Sequence, residues 1–252
     1  MSEVLSHVEA GCATITLNRP EQMNAITVEL GRALHEAIDD CAARADVTVI
    51  DIRGAGGNFC AGGDFAEVER LRADGPNGLR PLFVNFAQAC RAIARCPVPV
   101  VAVVEGVAMA GGFELMQAAD ITLVADDARI ADNHIRFGQV PGGGSTQRLA
   151  RLVGRQQALG LLLSGDRLSG VDAERLGLAY ASWSPQEFDG KVEEFLQTLA
   201  GRRRDAVTGI KSLVYQGLSS DLDAGLDLEL DAVVDHISGA AGAAGVTTFS
   251  QR

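Results

Sequence analysis

Hydrophobic and polar positions along this chain fall into two rhythms. Alternating or β-branched runs predict strands at 4–8, 12–17, 47–52, 98–104 and 121–124, with a short extension at 128–131. Helical spacing takes over between them. Leu30, Leu34, Ile38 and Cys41 follow a Thr27 cap, residues 82–94 form a second helix, and Phe113, Leu115, Met116 and Ala119 mark a third. Ala10-Gly11 turns the first two strands into a hairpin, and Asn18-Arg19-Pro20 ends the second, because proline cannot extend a ladder. The stretch 72–80, which contains Gly75-Pro76-Asn77-Gly78, reads as a loop, either a cover over a site or an idle surface connection. Ser145 or Thr146 is expected to cap a helix after the glycine turn 141–144. That helix pattern breaks at Gly154, and Ser169 with Asp172 has the form of a capping box. Beyond Pro185 the pattern is almost all helix, at 188–200, 207–215 and 222–237. The chain therefore divides into a layered β/α part, residues 1–184, and a C-terminal helical region, residues 185–252.

Twice a buried strand runs straight into a glycine-rich corner and then a helix. The first unit spans 47–67 and carries Gly62-Gly63; the second spans 98–119 and carries Ala110-Gly111-Gly112. A helix entered through glycines offers main-chain N–H groups with partial positive charge, which suits an anion or a developing oxyanion. A stacked β/α arrangement brings two such corners side by side, so that each supplies one N–H to the same oxygen. Glu114 stands in the first turn of the second helix, next to those donors.

Composition narrows the functional classes. The 252 residues are 47% hydrophobic, enough for one large core, and carry a formal charge of −11. Such an acidic chain is not built for nucleic acid, although backbone amides and a few cations can still hold one phosphorylated small molecule. The cluster Arg202-Arg203-Arg204 fits a solvated helix end or a phosphate contact. Five scattered cysteines show no metal spacing and fit a reducing compartment. With no charged-then-apolar leader and no spanning apolar run, a soluble, cytoplasmic protein without membrane or metal is expected.

Five stretches in register carry a resemblance over nearly the whole chain. They are LNRPEQMNAIT at 17–27, GNFCAGGDF at 57–65, EGVAMAGGFELMQAADI at 105–121, VPGGGSTQRLARLVG at 140–154 and SGDRLSGVDAERLGLA at 164–179. Together they resemble the enoyl-CoA hydratase/isomerase (crotonase) superfamily. The resemblance implies an α/β fold, a crotonase-like spiral of ββα units with a C-terminal helical trimerisation region. It implies a homotrimer or dimer of trimers acting on an acyl-CoA thioester, with coenzyme A arriving as part of the substrate and no resident cofactor. Gly63 and Gly111 match the oxyanion-hole positions, and Glu114 matches the first acid/base. The hydratases' second glutamate falls on His134, where an imidazole forms an unlike pair with Glu114, or serves only as a hydrogen-bonded pocket residue. Met23, Ala25, Ala61, Gly62, Asp64 and Phe65 match the substrate- and CoA-binding stretches, and Asp64 also suits a helix cap. Residues 65–86 and the C-terminal helices are expected to wall the acyl pocket. Where the family often carries a CoA-binding lysine this chain has Glu21, which leaves Arg19 and Arg252, with Phe249, as loose matches for contacts to the nucleotide. Because His134 replaces a carboxylate, thioester hydrolysis, decarboxylation, carbon–carbon cleavage and non-catalytic acyl-CoA binding stand beside hydratase/isomerase chemistry.

Overall fold

The computed structural model describes residues 2–239 and 242. Strands β1 (Val4–Glu9) and β2 (Cys12–Leu17) form the antiparallel hairpin expected around Ala10-Gly11, which both take positive φ. Strands β3 (Val49–Gly54), β4 (Val100–Val104), β6 (Ile121–Ala125) and β8 (Ala181–Trp183) continue the sheet in parallel, in the order β1-β2-β3-β4-β6-β8. A second sheet pairs β5 (Val107–Met109) with β7 (Arg129–Ala131), and single bridges link Cys60 to Ala108 and Ile26 to Gly63. Each turn of the chain thus gives a strand to the main sheet, a short extended piece to the second layer, and then a helix. This is the mixed α/β spiral that the resemblance implies.

Parallel strands need both faces covered, so their residues are apolar on both sides. In β4, Val100, Ala102 and Val104 face one core with helices α1 (Val28–Ala43) and α3 (Gly75–Arg95), while Val101 and Val103 face Phe188, Val192 and Leu196 of α7 (Phe188–Ala200). Thr27 caps α1 by accepting from Leu30 N–H, and Ser169 with Asp172 closes a full capping box on α6 (Gly170–Arg175). Helix α2 (Phe65–Arg72) starts behind Asp64, and α4 (Gly111–Ala118) starts at the second glycine corner. Gly154 leaves helical geometry inside α5 (Ser145–Ser164), at the expected break.

Three expectations change. The stretch 75–80 is helical and opens α3: Pro76 occupies the first turn, where no N–H is required of it. The helix at 145 has Gly144 as its cap, with no side-chain cap bond. The third strand runs over 49–54 rather than 47–52. The described residues up to Gly201 make one compact unit and the described residues from Arg202 a second, so the helix at 188–200 belongs with the sheet it covers. In the second unit, α8 (Arg204–Gly217) packs on α9 (Leu222–Ser238). No helix among the described residues is long and apolar enough to cross a membrane.

Candidate active site

The two glycine corners meet. Ile26 N–H donates to Gly62 O at 2.7 Å and Asp64 N–H to Ile26 O at 2.9 Å, which clamps the main chain on both sides of Gly63 and turns its own N–H the other way. Gly62 sits at φ +100, and a Cβ there would stand 2.8 Å from Ala110 Cβ and 3.3 Å from Gly111 N. Only glycine allows that approach. Ala110 itself takes φ 48 and ψ −114, which turns the chain into α4 and makes Gly111 the first residue of the helix. Among the described residues, neither the Gly63 nor the Gly111 N–H donates to a protein acceptor.

Glu114 lies in the first turn of α4 and is 2% exposed. Its Oε1 accepts from Gly143 N–H at 2.7 Å and from Ser145 N–H at 3.1 Å. The free N–H groups at the start of α5 thus find their acceptor on another helix, 29 residues away in the case of Gly143. Burial pushes the Glu114 carboxyl above the ordinary glutamate range, against the opposing pull of those N–H groups and of His134. No cation lies at ion-pair distance from it among the described residues. Gly143 is held tightly here, since a Cβ would fall 2.7 Å from Glu114 Oε2 and 2.3 Å from Phe86 Cε1.

His134 opens a short 3₁₀ turn (His134–Phe137), and its Nδ1 lies 2.6 Å from Oδ1 of the buried Asp132. Burial alone would lower its pKa. The hydrogen bond and charge of Asp132, together with the charge of Glu114, outweigh that and hold the imidazole above its ordinary value. Asp132 Oδ2 and Asn133 Oδ1 are buried acceptors without a donor among the described residues.

One cavity of about 520 Å³ collects most of the expected site: Gly63, Gly111, Glu114, His134, Ala61 and Phe65 all line it. Met23, Ala25, Gly62 and Asp64 do not line it and instead form its support. Met23 O accepts from Ala61 N–H at 2.9 Å, and Asp64 caps α2 through Glu67 N–H at 3.0 Å. Arg19 is not available to a phosphate. Its guanidinium is engaged by Asp64 at 2.8 Å, by Glu3 at 3.2 Å and by Ala25 O. Phe249 and Arg252 lie outside the described residues. The main-chain donors of Gly143 and Ser145 escaped the sequence reading, in which 141–146 served only as a turn and a cap. A third glycine run ahead of a helix was the available signal.

Residues 7–252 match the family model described as Enoyl-CoA hydratase/isomerase. Over 233 residues the chain is 32% identical to the 1,2-epoxyphenylacetyl-CoA isomerase of Escherichia coli, covering 92% of this chain and 88% of that protein. It is 28% identical over 234 residues to the short-chain-enoyl-CoA hydratase of Clostridium acetobutylicum, with coverage of 92% and 88%. The crystal structure of an enoyl-CoA hydratase from Mycobacterium smegmatis matches at a TM-score of 0.92 and 29% identity, over 99% of this chain and 96% of that one. Family model, relatives and fold agree across almost the full length, and the chain belongs to the enoyl-CoA hydratase/isomerase family of acyl-CoA enzymes.

Proposed function

We propose that this enzyme moves a proton along the acyl group of a CoA thioester and so shifts a carbon–carbon double bond, passing through a thioester enolate. The ionised Glu114 takes a proton from the carbon next to the unsaturation. The electron pair left behind moves toward the thioester oxygen, which the N–H groups of Gly63 and Gly111 receive as an oxyanion hole. The enolate then collapses as a proton arrives at the other end of the three-carbon unit, from Glu114 or from the His134 imidazolium. Two preorganised donors at the wall of a largely apolar cavity suit this step, because they would receive the charge as it develops on the oxygen. A carboxylate pushed up by burial is a stronger base and is better matched to a carbon acid. Asp132 acts as a positioning residue that orients the His134 ring.

The observation that carries the isomerase reading over hydration is the Asp132–His134 pair at 2.6 Å. The hydratases of the family hold and activate one water between two glutamates, both of which can accept from it. An imidazole held toward its charged form has both ring nitrogens occupied by hydrogen and donates instead. The test uses two thioesters. A 3-enoyl-CoA such as 3-hexenoyl-CoA is expected to gain the absorbance of a conjugated enoyl thioester, while crotonyl-CoA loses little. Rapid loss of crotonyl absorbance would favour hydration. Binding of both thioesters with no change in either would favour hydrolysis, decarboxylation, carbon–carbon cleavage or simple acyl-CoA binding.

Coenzyme A enters as part of the substrate, and the chain needs no resident cofactor for this step. Assembly as a homotrimer or dimer of trimers is supported by apolar residues left exposed on the second unit, among them Leu218, Leu222, Leu226 and Leu230. Sedimentation of the purified chain tests that assembly.

A further inference from the structure

Four of the nine phenylalanines in this aromatic-poor chain line the one cavity that holds Glu114 and His134. They come from three separate segments: Phe65 from α2, Phe83 and Phe86 from α3, and Phe137 from the 3₁₀ turn. Phe65 and Phe137 meet edge-to-face, with ring centroids 5.6 Å apart at 67°, yet they stay 61% and 57% exposed. Two large apolar side chains left that open beside a cavity are half of a contact. The inner pair is fitted into the glycine turn that holds Glu114. A Cβ on Gly142 would stand 2.7 Å from the Phe83 ring, and one on Gly143 2.3 Å from the Phe86 ring. The four rings therefore line the cavity from beside the carboxylate outward, with the aliphatic Ile26, Val68, Leu79, Leu82 and Val140 between and around them.

We infer that the acyl group of the substrate carries a planar ring, an aryl or comparable unsaturated cycle, seated among Phe65, Phe83, Phe86 and Phe137. This deepens the acyl-CoA reading above and rests on it. A flat π-system can present its face to one of these rings and its edge to another, the arrangements aromatic pairs prefer, and these contacts add to what burial alone supplies. A flexible alkyl chain gains only the burial and loses rotamer freedom on being held. A four-carbon acyl group would leave most of a cavity of about 520 Å³ to water against apolar walls.

The test is a binding measurement on the intact enzyme with two saturated, unreactive thioesters of equal acyl carbon count, 4-phenylbutanoyl-CoA and decanoyl-CoA, with free CoA as reference. The phenyl thioester is expected to bind about tenfold more tightly than the decanoyl one, equivalent to about 1.4 kcal/mol. Phe65→Leu and Phe137→Leu, both at positions more than half exposed, are expected to bring that ratio toward one. Equal affinities in the unmodified enzyme, or a preference for decanoyl, would overturn the ring assignment while leaving the thioester site in place. If neither thioester binds better than free CoA, the acyl-CoA reading of the cavity fails, and the ring assignment fails with it.

Discussion

Glu114 and Asp51 are buried to nearly the same degree, 2% and 0% exposed, but their surroundings are opposite. Asp51 sits on β3 directly across from Thr14, whose hydroxyl donates to it at 2.7 Å, and Arg53 closes an ion pair at 2.7 Å. Cys12 Sγ lies 3.5 Å away, and its thiol is pushed up to about 12 by burial and by the Asp51 charge. Among the described residues Glu114 is hydrogen-bonded by main-chain N–H groups alone, those of Gly143 and Ser145, and burial leaves its carboxyl raised against their pull and that of His134. The difference teaches that burial alone does not make a carboxylate reactive. A full countercharge and a cross-strand hydroxyl lock Asp51 into the sheet. Partial charges from a helix start hold Glu114 in place without neutralising it, so it remains able to accept a proton.

The sharpest way to break this comparison is Glu114→Gln, which keeps the shape and removes the base. Turnover is expected to fall by about 10²–10⁴ while calorimetry shows the thioester still binding. Unchanged turnover would remove Glu114 from the chemistry. Asp51→Ala should do the reverse, costing about 1–3 kcal/mol in urea unfolding with the rate per folded molecule unchanged. That range is kept below the value for a fully buried pair, because the Arg53 side chain is 37% exposed. If Asp51→Ala abolished turnover in a protein that stays folded, the contrast between the two carboxylates would be lost.

A smaller effect is expected at the corner itself. Ala110 holds φ 48 with ψ −114, a conformation that L side chains rarely adopt. Ala110→Gly should raise stability by about 1 kcal/mol, the relief of backbone strain less the added freedom of the unfolded chain. The reading is the shift in Tm, and a fall would show that Ala110 is unstrained. The smallest change is one of pH profile. The proposed route uses an ionised Glu114 and, where His134 returns the proton, a protonated imidazole. The acid limb should therefore sit above the ordinary glutamate range and the alkaline limb above the ordinary histidine range. Asp132→Asn removes the charge that supports the imidazolium, so the alkaline limb moves to lower pH while the acid limb moves less. An alkaline limb that stays put would separate Asp132 from the role given to it.

Several elements were legible because their signals are local. The Ala10-Gly11 hairpin, the Thr27 cap, the Ser169–Asp172 capping box and the break at Gly154 each depend on residues within a few positions of one another. The three-residue strands β5 and β8 carry too little periodicity to stand out, and each exists only through its partner, β7 or β6. The helical start of α3 was hidden because Gly75-Pro76-Asn77-Gly78 has the composition of a turn, whereas Pro76 is at home in a first helical turn. Arg19 looked like a free cation because nothing near it in sequence announces Asp64, 45 residues on.

By itself the sequence determined the alternation of strands and helices, the glycine corners, the placement of Glu114 beside one of them, and the family. These follow from backbone preferences and side-chain spacing that act over short stretches of chain. Only the tertiary structure decided that the Gly63 and Gly111 N–H groups meet no acceptor among the described residues, that Gly143 and Ser145 hold Glu114, and that four phenyl rings line one cavity. Those facts depend on which main-chain donors and side chains are brought together from distant segments. Hydrogen-bond geometry and close packing settle that choice once the layers have assembled.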